Sequence, residues 1–235
     1  MEVDTDFDPR TYGFGFVNRF SGGAVVAELA RQDRLSELTG LKVPRVVRQL
    51  IDLAAGGDFW ETFGLCGGMS WLALDGFAKR EPPAIGQSIP GPDQALFHGL
   101  VARQADSMRG RKLLERCIVW QLLPDRAPWW MFWSKGVGRR MVEEEWPKLR
   151  LALDSGEPVS LVLIRARGAA NPSSNHQVVA VGYRATGDGQ VEVRLYDPNH
   201  PGIRPTIPLD LQSQSVGPRQ STNEPVRGFF VWAPT

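Results

Sequence analysis

Pro158-Val159-Ser160-Leu161-Val162-Leu163-Ile164-Arg165, entered after Gly156, divides this chain. It is short and β-rich, and it opens a run of strand signals. His176–Tyr183 (His-Gln-Val-Val-Ala-Val-Gly-Tyr) reads as a second strand. Gly187-Asp188-Gly189 is a strong hairpin turn. Val191–Tyr196 alternates Val, Val and Leu with Glu and Arg, so it predicts a third strand with one exposed face. Ile203–Ile207 is a candidate fourth strand, residues 212–225 are polar and loop-like, and Val226–Trp232 closes the chain as a last strand.

Upstream of Gly156 the signals are helical. Ala24–Leu38 predicts a helix. In Val43–Ala55, Val43, Val46, Val47, Leu50, Ile51 and Leu53 recur at helical spacing and Gly56-Gly57 stops the run. A helix from Cys66 to about Lys79 follows, then a proline-rich loop over residues 81–92. Gln94–Ser107, Arg111–Leu123 and Gly138–Asp154 complete the set, with Pro147 predicting a kink or break in the last. Residues 1–10 read as a flexible arm, and residues 12–20 as a short extended segment of alternating aromatics. Helices first and hairpin-connected strands afterwards imply an α+β fold. The expected architecture is a helical lobe, about 21–155, packed on an antiparallel sheet lobe, about 156–235, with a cleft between them.

Composition narrows the function classes. The 235 residues carry 27 basic and 26 acidic side chains, for a net charge of +1. That balance is no footprint for nucleic acid or an anionic membrane. The acidic, polar start Met1–Asp6 has no secretory signal pattern, and no apolar run approaches a bilayer span. These features predict a soluble, cytoplasmic protein without an integral membrane segment. Two cysteines, Cys66 and Cys117, make no disulfide framework, and no zinc or phosphate-loop spacing occurs. No metal and no cofactor are expected. The aromatic run Trp129-Trp130-Met131-Phe132-Trp133 reads as packing between elements.

Chemistry centres on Phe63-Gly64-Leu65-Cys66-Gly67-Gly68-Met69-Ser70-Trp71. A cysteine in the first turn of a helix meets free N–H groups and the positive end of the helix dipole, which favour a thiolate. The flanking glycines suggest a sharp turn and room for a substrate. A nucleophilic thiol also needs a base and a group that orients the base. His176 opens its strand. Asp197, in Tyr196-Asp197-Pro198-Asn199, ends the neighbouring hairpin strand, and hairpin geometry brings the two ends together. A carboxylate on one ring nitrogen fixes the tautomer of the base and stabilises its imidazolium. His200 is a rival base, and His98 reads as a packed helix histidine.

The order Cys66-Gly67, His176-Gln177-Val178-Val179-Ala180-Val181 and Asp197-Pro198 resembles the papain-like cysteine peptidases. It resembles most the bacteriocin-leader-processing (double-glycine) peptidases and their standalone bacterial relatives. The resemblance spans roughly residues 60–200 and implies one papain-like domain over 1–235. It implies Cys66 as nucleophile, His176 as general base and acid, and Asp197 as the orienting residue, with Asn199 as the alternative. That family carries a glutamine oxyanion donor six residues before the cysteine, where this chain has Trp60. Asn18 is the candidate replacement. The implied function is hydrolysis of amide, foremost peptide, bonds in a peptide or protein substrate through a thioester. The alternatives are an acyltransferase or deamidase with the same triad, or a non-catalytic module that binds a peptide or partner.

Overall fold

The computed structural model describes residues 1–34, 64–83, 88–127, 130, 135–217 and 219–234. The helix expected over Val43–Ala55, the Trp60 position and most of the Trp129–Trp133 run lie outside the described residues. The described chain is α+β. The order is β1 (Glu2–Asp4), α1 (Pro9–Tyr12), α2 (Gly22–Arg31), α3 (Cys66–Lys79), α4 (Ala95–Met108), α5 (Lys112–Leu122), α6 (Val137–Arg140) and α7 (Trp146–Asp154). There follow β2 (Val159–Ile164), β3 (His176–Ala185), β4 (Gln190–Tyr196), β5 (Thr206–Asp210), β6 (Ser215–Val216) and β7 (Gly228–Val231). None of the described helices is long and apolar enough to cross a membrane.

The sheet is antiparallel, in the order β6-β5-β4-β3-β2-β7. All six residues of β2 are buried, because helices cover both of its faces, whereas β4 alternates as its sequence does. One edge of β3 is shared end to end. β2 pairs with His176–Ala180, and β1 pairs with Gly182–Arg184. The N-terminal arm expected to be flexible is therefore a strand of this sheet. Val3 faces Tyr183 in register, and Arg194 makes ion pairs with Glu2 and Asp4. On the other edge, the pairing of β3 with β4 shifts register between Ala180 and Gly182. A Cβ at Gly182 would lie 2.3 Å from Asp4 Oδ1 and 2.6 Å from Val3 O, so only glycine admits β1 here.

Two further expectations change. Candidate strand Ile203–Ile207 gives way to β5, which starts at Thr206, because the preceding Pro201–Arg204 segment is spent on a turn that leaves Ile203 exposed. Over Gly138–Asp154 the helix neither stops nor breaks at Pro147. Met141–Glu145 form a π-helical turn, and Trp146 N–H bonds Met141 O five residues back. The wider turn absorbs the ladder bond that proline cannot donate.

The core sits on both sides of the sheet. Trp120, Met141, Trp146 and Leu149 from the helices join Leu161, Leu163, Tyr183 and Phe230 from the strands. Against β3 and β4, Ala73 and Leu74 of α3 meet Val179, Val181 and Tyr196, and Phe7 closes that cluster. The alternating aromatics of residues 12–20 bury Phe14, Phe16 and Phe20 against Leu65, Met69 and Phe97. The start of α3 is thus clamped between the N-terminal segment, α4 and the sheet.

Candidate active site

The first N–H groups of a helix have no partner within it. At α3, whose first intrahelical bond runs from Met69 N–H to Leu65 O, each such group meets a different fate. Leu65 N–H donates to Asn18 Oδ1 at 2.6 Å, and Gly68 N–H donates to Gln104 Oε1 at 2.9 Å. The Gly67 amide favours the thiolate of Cys66. Among the described residues the Cys66 N–H has no acceptor. Among the described residues one backbone donor is therefore free beside the Cys66 side chain, at the positive end of the helix.

Close packing, not a sharp turn, explains the glycines after the cysteine. Both lie in the helix. A Cβ at Gly68 would stand 2.3 Å from Leu100 O, and one at Gly67 2.2 Å from Ser107 Oγ. These positions let α3 lie directly on α4.

Across the cleft, the β3–β4 pairing of Val179 with Tyr196 brings His176 and Asp197 to the same end of the sheet. His176 Nε2 lies 2.6 Å from Asp197 Oδ1. That contact leaves Nδ1 unused, and His176 lines the same cavity as Cys66, where its charge acts on the thiol. Gln177 N–H, one residue past the histidine, donates to Cys66 Sγ at 3.4 Å. Burial alone pushes the Cys66 thiol up. The His176 hydrogen bond and charge, with the Gln177 and Gly67 amides, outweigh it and hold the thiol below its ordinary value. Burial likewise pushes His176 down, but the charge and hydrogen bond of Asp197 dominate and raise it to about 9. Asp197 is fully buried. Its neighbour His176, the Asn199 N–H and the Gln220 amide overcome that burial and hold the carboxyl well below the usual range. The arrangement favours a thiolate beside an imidazolium, with a carboxylate behind it.

The other sequence candidates fall around this line. Asn199 does not take the ring nitrogen. Its N–H donates to Asp197 Oδ1 at 2.8 Å, and its side-chain oxygen accepts from Asn18 Nδ2 at 3.1 Å. Asn18 therefore ties the cysteine loop to the Asp197 turn, with one Nδ2 hydrogen to spare among the described residues. His200 pairs with Glu224, and His98 faces Glu28 Oε1 at 3.0 Å, so neither meets Cys66. Cys117 is buried, and its thiol is pushed up to about 12 by that burial.

Three glutamines went unread in the sequence. Gln104 has a signal, since it falls on the same face of α4 as Leu100 and Val101. Gln177 adjoins the histidine. Gln220 sits in a polar stretch that offers no pattern. The cleft beside Cys66 and His176 holds a cavity of about 210 Å³, walled by Met108, Leu113, Leu114 and Val162. Among the described residues no three His, Cys, Asp or Glu side chains are grouped to hold a metal ion. Comparison with protein-family models, with curated proteins and with solved structures returns no match.

Proposed function

We propose that this chain is a cysteine-dependent hydrolase of amide, foremost peptide, bonds, built on the papain-like plan. The observation that carries the reading is the meeting of Cys66 and His176 at one cavity with Asp197 behind the histidine: His176 Nε2 lies 2.6 Å from Asp197 Oδ1, Gln177 N–H donates to Cys66 Sγ at 3.4 Å, and the thiol is held below its ordinary value. A cysteine at a helix start, packed on an antiparallel sheet that supplies a strand-opening histidine and a strand-ending aspartate, also supports that plan.

The chemistry follows from these atoms. The Cys66 thiolate attacks the carbonyl carbon, an S–C bond forms, and the carbonyl π electrons move to oxygen. The free Cys66 N–H and the spare Nδ2 hydrogen of Asn18 are the donors available to that oxyanion. As the oxyanion collapses the C–N bond breaks, and the Nδ1 proton of His176 passes to the leaving amine. Neutral His176 then takes a proton from water, the hydroxide attacks the thioester, and the thiolate leaves. Asp197 stays ionised throughout and stabilises the imidazolium.

An electrophilic peptide probe tests this reading. Wild-type protein should be labelled at Cys66 and Cys66→Ala should not. Labelling that persists in the variant sinks the assignment. Mass analysis of products formed with and without added amines separates hydrolysis from acyl transfer.

A further inference from the structure

We propose that Gln220 is a positioning residue of the candidate site, holding Asp197 so that His176 presents Nδ1 to Cys66. This inference rests on the reading of Cys66, His176 and Asp197 as a functional triad. A carboxylate offers about four acceptor positions. On Asp197, Oδ1 is used by His176 Nε2 and by Asn199 N–H, while Oδ2 accepts from Gln220 Nε2 at 2.8 Å. Gln220 is 2% exposed, so water does not replace it.

Its own orientation is enforced. The second Nε2 hydrogen goes to Thr222 Oγ1 at 2.6 Å, and the Thr222 hydroxyl donates to Glu224 Oε2. The other Glu224 oxygen meets the His200 ring, and His200 N–H returns to Asp197 O at 2.9 Å. These contacts form a closed ring. It joins the 197–200 turn to the 220–224 turn, where Gln220 N–H also bonds Glu224 O at 2.9 Å. Turning the amide over would set its oxygen against the Asp197 carboxylate and leave Thr222 facing an acceptor. The observed orientation is therefore the favourable one even though Gln220 Oε1 has no partner among the described residues. Without Gln220, Oδ2 is a buried anionic oxygen with no donor, free to rotate away from the plane that serves His176.

The experiment uses Gln220→Met, which keeps the volume and removes the donor, alone and combined with Asp197→Ala. Two readouts are taken: the ¹⁵N-histidine NMR signals of His176, and the rate of Cys66 alkylation by iodoacetamide. At metal sites, loss of the group that orients a histidine ligand costs about 10–100-fold. Gln220→Met should shift the His176 signals and slow alkylation within that range. In the Asp197→Ala background it should change the rate no further. Thr222→Val, at a less buried position, should give the same effects in smaller degree and guards against a folding defect in Gln220→Met. Unmoved His176 signals, or a slowing that adds in full to Asp197→Ala, overturn the positioning role. Shifted signals with a Cys66 that alkylates no faster than a free thiol uphold the positioning and overturn the catalytic reading instead.

Discussion

Replacing Asp197 with asparagine keeps the size of the side chain and removes its charge. That charge and its hydrogen bond are what raise His176 to about 9 against the pull of burial. Without them, burial dominates and the imidazolium deprotonates at lower pH. The thiol in turn loses the cation that holds it down and rises. The pH window in which thiolate and imidazolium coexist should narrow from both sides. Peptide turnover, which needs the His176 proton for the leaving amine, should hold a plateau that falls off near pH 9, and Asp197→Asn should move that fall to lower pH. An alkaline limb that stays near 9 in the variant contradicts the cause given for the shift. In peptide turnover the same change should approach the roughly 10⁴-fold loss known for carboxylate removal from a Ser-His-Asp triad. At this scale the sequence was informative where a residue type is chemically rare. Cys66, His176 and Asp197 each carry a signal in their identity and their place at an element end. Gln220 carries none, because a buried glutamine and a loop glutamine look alike until the contacts around them exist.

Elements were legible in type more than in purpose. Cys66–Lys79 opens where its sequence says it should, but the glycines after the cysteine serve the approach of α4 and not a turn. A helix–helix contact of this kind is set by the partner's backbone, which local sequence does not display. Gly68→Ala places a methyl group 2.3 Å from Leu100 O, a backbone atom that cannot step aside alone. It should cost about 1–3 kcal/mol, the usual penalty of overpacking, read from urea unfolding. Gly23→Ala is the matched control. It lies near the start of α2, exposed, and the nearest atom to a new Cβ is Ser21 Oγ at 4.0 Å. Relieved of glycine's entropy cost, that variant should gain about 0.4–1 kcal/mol. A loss at Gly23 as large as that at Gly68 would mean that helix entry, not the α3–α4 contact, is being measured. The π-turn before Pro147 belongs to this scale too: the proline was visible, but whether the ladder stops or widens depends on what the helix packs against.

At the scale of the molecule, the N-terminal segment joins the sheet to the helix that begins with Cys66. Glu2-Val3-Asp4 has no strand pattern of its own. It becomes a strand because β3 leaves an edge open beyond β2, a pairing between residues about 180 positions apart that no local signal announces. Phe7 follows it inward. Fully buried, its ring stands 5.6 Å from those of Tyr12 and Phe77 and 5.8 Å from that of Tyr196. Phe77 lies on α3, the helix that begins with Cys66, and Tyr196 immediately precedes Asp197. Tyr196 is held in turn by a hydrogen bond from Phe14 N–H to its hydroxyl. The first residues thus brace the helix that begins with Cys66 against the strand that leads into Asp197. Phe7→Ala should lower unfolding stability by about 3–5 kcal/mol, the range for emptying a buried aromatic site. Measured where the variant is still folded, it should also slow alkylation of Cys66, because the cavity lies between the two elements that must stay in register. Phe7→Leu, which refills most of the volume, should restore much of both. A variant that loses the stability and keeps the full wild-type alkylation rate would show that α3 and β4 hold their spacing without the N-terminal brace.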